Sequence, residues 1–310
     1  MKLKALTLGA AILAFCVVVF GAFVRLSDAG LSCPDWPGCY GGLTVPEEQG
    51  EAYPERPLEH GKAWTEMTHR YLAGILGIAI LAIAVLAWRD AANKWLASAL
   101  AVLVVAQALL GMWTVTMLLK PVVVTLHLLG GMATLALACW IAMAVRGDEI
   151  LWTRSELRVA ALIGLALLFA QIALGGWVSS HYAGLACEDF PLCHGSLLPA
   201  MDFARAFSWQ MQPTAESMAA IQWTHRTGAL VVLVYLSWLG LRALRFQPAV
   251  AIFVLLLAWL QVGLGAANVW LRLPLPLAVA HNAVAALLLI TMVMLNFRLR
   301  RHPARPPGSK

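Results

Sequence analysis

Four histidines carry the first chemical signal in this chain. His69, His127, His225 and His281 each lie at or near one end of a long apolar run. A neutral imidazole presents one ring nitrogen to a metal. Two imidazoles at similar depth on facing helices clamp a haem iron from both sides. A lone histidine in an apolar run can instead serve an interhelical hydrogen bond. Zinc would need a third ligand of the right type, and neither pair offers one at matching depth. One histidine on every second apolar run favours the haem reading, because ionisable groups inside a membrane are costly and mark function.

Other reactive residues cluster near these four. Glu66 precedes His69 by three residues, which puts both on one helical face, and Gln222 stands three before His225. Glutamine keeps the size and hydrogen bonding of glutamate but cannot ionise. The two positions therefore suggest divided labour, with chemistry beside Glu66 and electron transfer or structure beside Gln222. Arg70 and Arg226 directly follow His69 and His225. Each could pair with a haem propionate or extend to the lipid headgroups. Cys33 and Cys39 form one close pair, Cys187 and Cys193 another, each spanning a proline. Either pair could be a structural staple or a redox-active dithiol. Cys16 and Cys139 sit in apolar runs and read as inert small core residues. Gln107, Gln171 and Gln261 each stand four residues before a glycine, a pattern read as close helix packing.

These residues are duplicated. VRLSDAGLSCPDWPGCYG at 24–41 aligns with VSSHYAGLACEDFPLCHG at 178–195 at an offset of 154. The same offset carries His127 onto His281 and Gln107 onto Gln261. The stretch from Glu66 to Arg70 meets Gln222 to Arg226 at 156, a two-residue drift that loops absorb. The expected domains are therefore 1–150 and 151–310, two parallel copies related by an axis along the membrane normal.

The elements that must position these groups are membrane helices. The chain is 61% hydrophobic and 12% charged, about half the charge of an ordinary soluble domain. Apolar runs at roughly 5–26, 66–88, 94–118, 122–145, 158–180, 219–243, 248–271 and 278–297 each approach the ~20 residues that cross a bilayer. The predicted fold is an all-α integral membrane protein, eight transmembrane helices in two four-helix bundles. With a cytoplasmic N-terminus, fourteen Lys and Arg fall on the inner side and five on the outer. That bias places both termini in the cytoplasm and the cysteine loops outside, where a bacterial inner membrane faces an oxidising space. The net charge of +6 is thus a topological signal and not a nucleic-acid footprint. The tail from Arg298 to Lys310 reads as a solvated basic end facing the membrane lipid. The first run is long for a signal peptide, and its internal counterpart argues against cleavage.

Glu66-x-x-His69-Arg70, His127, Thr224-His225-Arg226, His281 and the loop cysteines together resemble the haem A synthase family over nearly the whole chain. The resemblance implies an oxidoreductase that converts a methyl group of haem O to the formyl group of haem A, for haem-copper terminal oxidases. It implies that His69 and His127 flank the substrate haem O, that Glu66 assists oxidation, and that His225 and His281 ligate a haem b. It implies activity-linked roles for Cys33 and Cys39, with Cys187 and Cys193 less general. Haem O synthase is an expected neighbour, and an electron acceptor of unknown identity is required. From the residues alone, a di-haem b-type electron carrier, a membrane thiol–disulfide oxidoreductase and a parallel-repeat transporter stay open as alternatives.

Overall fold

The computed structural model describes residues 2–48, 53–88, 93–147, 155–209 and 211–300. Within them the chain is helical: α1 (Lys2–Leu26), α2 (His60–Ala87), α3 (Lys94–Thr116), α4 (Pro121–Arg146), α5 (Ser155–Ser180), a short α6 (Phe203–Ala206), α7 (Ala215–Ala243), α8 (Pro248–Trp270) and α9 (Leu275–Arg298). All but α6 are long and apolar enough to cross a membrane. Exposed Ile12, Ile78, Val85, Val102, Leu256 and Trp259 give them an apolar outer surface, as lipid requires. Cys16 belongs to that surface, which corrects its reading as a core residue, and neither it nor Cys139 is disulfide-bonded.

Two helices begin a full turn or more before their apolar runs. The second starts at His60 and not 66, and α7 starts at Ala215 and not 219. Both extensions are polar turns with their own stabilisation. Glu59 pairs with Lys62 at 2.9 Å before α2. Thr214 and Ser217 form a reciprocal capping box at the start of α7, satisfying two orphan N–H groups. These extra turns set Glu66 and His69 about two turns into α2, and Gln222 and His225 likewise into α7.

The repeat is written into the backbone. Left-handed φ angles recur at the 154-residue offset: Asp28 (52°) with Tyr182 (54°), Tyr40 (53°) with His194 (52°), Leu118 (52°) with Arg272 (61°), and Leu119 (56°) with Leu273 (57°). Such angles are unfavourable for non-glycine residues, so unrelated sequences would not share them by accident. Trp36–Pro37 and Phe190–Pro191 are both cis. One buried core, including Ala14, Leu135, Ile141, Leu236, Leu288 and Met292, runs through both copies. The copies meet where α4 packs on α5 and α9, and α1 on α9. The boundary expected at 150/151 lies outside the described residues, as do Arg89, Arg154, Arg301, Arg305 and Lys310 of the charge count.

The start of the basic tail is packed and not solvated. Arg298 Nη1 donates to Gln247 Oε1 at 2.8 Å, and the Arg300 guanidinium lies 3.7 Å from the Phe297 ring centre. A cation over an aromatic face gains attraction that open water would not supply.

Candidate functional site

Each cysteine pair is a disulfide, Cys33–Cys39 and Cys187–Cys193. The loops they close share one design. Asp35 accepts from the Tyr40 and Gly41 N–H groups at 2.7 and 2.8 Å, and Asp189 accepts from His194 and Gly195 at 2.8 and 2.7 Å. The Gly195 N–H contributes most to holding the Asp189 carboxyl below its usual range. A depressed carboxylate stabilises the fold above the unfolded value near ~4, and that contribution vanishes as pH falls through the lower folded value. Reduction of Cys187–Cys193 by a phosphine should therefore accelerate below about pH 4. Asp189→Asn should show the faster rate already at neutral pH.

Arg70 and Arg226 tie these loops to the histidine helices. Arg70 Nη1 donates to the carbonyl oxygens of Asp35 (2.9 Å), Pro37 and Gly38, and Arg226 Nη1 to those of Asp189 (2.8 Å) and Leu192 (2.7 Å). Arg226 Nη2 donates to the Cys187 carbonyl at 2.6 Å. Neither arginine lies free along the headgroups. Their Nη1 nitrogens are occupied by backbone oxygens, and of these two side chains Arg226 alone has a buried nitrogen, Nε, without a partner.

The copies diverge at the residue three before the histidine. Glu66 is 4% exposed and doubly engaged: Oε1 pairs with Arg70 Nη2 at 2.6 Å, and Oε2 accepts the Cys33 N–H at 2.9 Å. Gln222 is equally buried, but its Nε2 donates to the Gly184 carbonyl at 3.0 Å and its Oε1 has no partner. The first copy thus holds an ionisable group against its disulfide loop, and the second holds a neutral amide.

Each of the four site histidines rests against a glycine of a neighbouring helix. A Cβ placed on Gly21 would come 2.8 Å from His69 Cε1, and on Gly175, its counterpart, 3.2 Å from His225 Cε1. Gly111 and Gly265 stand at 3.3 Å from His127 and His281 in the same way. A side chain at Gly21 would collide with the ring and one at the other three would crowd it, so the four imidazoles pack against bare backbone. Glutamines one turn away reach the rings, which the sequence pattern alone did not disclose. Gln171 Nε2 lies 2.9 Å from His225 Nδ1, and Gln261 Nε2 lies 3.1 Å from His281 Nε2. The Gln107 amide, oriented to satisfy its neighbours, sets its nitrogen 2.8 Å from His127 Nδ1 and its oxygen 3.0 Å from the Gly131 N–H.

His225 and His281 open into one cavity of about 1000 Å³, which Gln171, Gln222, Gln261 and Arg226 also line. Arg25 of the first copy reaches the same cavity and donates to the Ser179 carbonyl at 2.8 Å. Among the described residues no cluster of three or more His, Cys, Asp or Glu is gathered for a metal. A pair of imidazoles beside a large apolar cavity fits a haem, which brings four equatorial nitrogens of its own and asks the protein for axial ligands only.

A family model described as cytochrome oxidase assembly protein, COX15-CtaA, matches residues 4–293. The chain belongs to that family. Among its relatives, "Heme A synthase" of Shewanella oneidensis is 41% identical over 91% of this chain and 92% of its own length. "Heme A synthase" of Caulobacter vibrioides is 32% identical over 94% of each chain. Matches of that extent cover both copies of this COX15-CtaA member. The resemblance read from the histidine, arginine and cysteine motifs is borne out.

Proposed function

We infer that this chain is a haem A synthase, an integral membrane oxidoreductase acting on a methyl group of haem O. Its kinship with two proteins of that name over nearly their full lengths supports the activity. The observation that carries the division of labour is the buried Glu66 in one copy against Gln222 in the other. In this reading His69 and His127 are the axial donors for the substrate haem O. His225 and His281 hold a haem b, which supplies a one-electron redox centre. Residues 1–150 and 151–310 form the two functional units.

Converting a methyl group and a water to a formyl group releases four protons and four electrons. Glu66 is the ionisable group next to His69 and is positioned to take protons as they leave. Arg70 and the Cys33 N–H each hold one oxygen of that carboxylate and fix its direction. The electrons pass to an acceptor outside the chain. Both termini face the cytoplasm and the disulfide loops face the oxidising side. A neighbouring haem O synthase would deliver an apolar substrate through the bilayer without release to water.

Extraction and separation of haems by type from the purified protein tests the assignment. Wild type should yield haem b together with haem O or its oxidised products. His225→Met or His281→Met should deplete haem b, and His69→Met or His127→Met should alter the haem O-derived fraction. Haem b alone in wild type from cells that make haem O would refute the synthase and leave a di-haem electron carrier.

A further inference from the structure

The glutamine clamps are not distributed evenly. Gln107 bonds His127, Gln171 bonds His225 and Gln261 bonds His281. Each stands four residues before the glycine that its histidine packs against. The fourth member of this pattern is Val17-x-x-x-Gly21, facing His69. Valine offers no hydrogen bond, and His69 Nδ1 is buried without a partner; His281 Nδ1 is also unpartnered, but its Nε2 meets Gln261, whereas no described side chain bonds the His69 ring. The repeat therefore supplies a polar anchor to three imidazoles and withholds it from one.

A metal-bound imidazole is oriented, and its basicity raised, by the partner of its second nitrogen. A glutamine amide can present either its N–H or its oxygen to that nitrogen after half a turn. The oxygens of Gln171 and Gln261 are buried and have no partner. Turned toward the ring, such an oxygen accepts the N–H that an imidazole must carry when its other nitrogen binds iron. His69 has no such partner. It packs against Gly21 and lies near Phe20, whose ring centre is 6.4 Å away.

We propose that Gln107, Gln171 and Gln261 are positioning residues that make His127, His225 and His281 permanent axial ligands, and that the Val17 gap makes His69 the exchangeable one. This rests on the haem assignment above. It gives the substrate site one fixed and one releasable ligand, so that haem O can enter and product can leave, while the second site retains its haem on two fixed ligands. Loss of such an outer partner typically weakens metal binding about 10–100-fold.

The test is carbon monoxide binding to the reduced full-length protein, resolved by haem type, in wild type, Val17→Gln and Gln171→Val. In wild type, carbon monoxide should bind the haem O fraction and leave haem b untouched. Val17→Gln should slow binding to the haem O fraction about 10-fold or more, and Gln171→Val should open haem b to carbon monoxide by a similar factor. Gln171→Glu, which keeps an acceptor oxygen, should restore the closed state. Gln171→Val only removes a polar group, so this arm decides the matter even if Val17→Gln fails to accumulate. Haem b that stays closed in Gln171→Val overturns the proposal while leaving the haem sites intact. Wild type without any haem overturns both.

Discussion

Glu66→Gln is expected to abolish the oxidised haem products while leaving the protein folded and its haem b in place. Removing a general acid or base costs about 10²–10⁴-fold in rate. The fold should tolerate the change, because the second copy already contains the answer. With glutamine at this position, Gln222 donates to the Gly184 carbonyl while Arg226 remains on its loop oxygens. The counterpart of Gly184 is Gly30, whose carbonyl is the expected acceptor for the new amide in the first loop. Arg70 would lose its 2.6 Å carboxylate partner but keep the carbonyls of Asp35, Pro37 and Gly38. Glu66→Ala lacks that refuge. It leaves the Cys33 N–H and a charge-bearing Arg70 nitrogen unpaired, at about 1–3 kcal/mol for each buried group. Haem analysis and unfolding of the two variants in parallel separate the effects. Glu66→Gln with normal levels of oxidised haem would exclude Glu66 from the chemistry.

Much of this was legible in the chain because duplication preserves residue type where geometry is demanding. Cysteine, histidine, aspartate and glycine recur at an offset of 154, or 156 for His69 and His225, because the disulfide, the imidazole seats and the Asx-type turns each accept few alternatives. The outer turns of α2 and α7 were not legible as membrane helix. His60 to Thr65 and Ala215 to Met218 carry no continuous apolar signal, and their helicity comes from an ion pair and a capping box. The loop contacts of the arginines were not legible for a related reason. Nothing in Arg70 or Arg226 as residue types distinguishes a propionate from a ring of backbone carbonyls as the partner, since that depends on how the disulfide loop folds over the helix end. The glutamines were noticed but read as packing elements, because a four-residue spacing to glycine has that meaning in any membrane helix. What would have revealed them is the correspondence between each Gln-x-x-x-Gly run and a histidine, with Val17 as the exception.

Opening the two disulfides should have equal thermodynamic and unequal functional consequences. Both bridges span a sequence separation of 6, so the chain-entropy term is about 2 kcal/mol for each. Cys33→Ser with Cys39→Ser and Cys187→Ser with Cys193→Ser should therefore destabilise their loops alike. Only the first loop touches the carboxylate, through the Cys33 N–H on Glu66 Oε2 at 2.9 Å. Freeing that loop lets the donor drift and leaves the buried Glu66 oxygen without its bond, so turnover should fall by about 10-fold or more for a loss of ~1.5 kcal/mol in the hydrogen bond to a charged group. The second loop meets its helix through Arg226 and through Gln222 on Gly184, and neither contact involves an ionisable group that could move protons. Its opening should loosen the rim of the cavity that His225 and His281 share, and should be read as weaker retention of haem b with little change in turnover per retained haem. Turnover and haem b content measured on both double variants discriminate between these effects. Equal losses of turnover from the two would mean that the bridges act only as staples, and that the link from Cys33 to Glu66 has no part in the reaction.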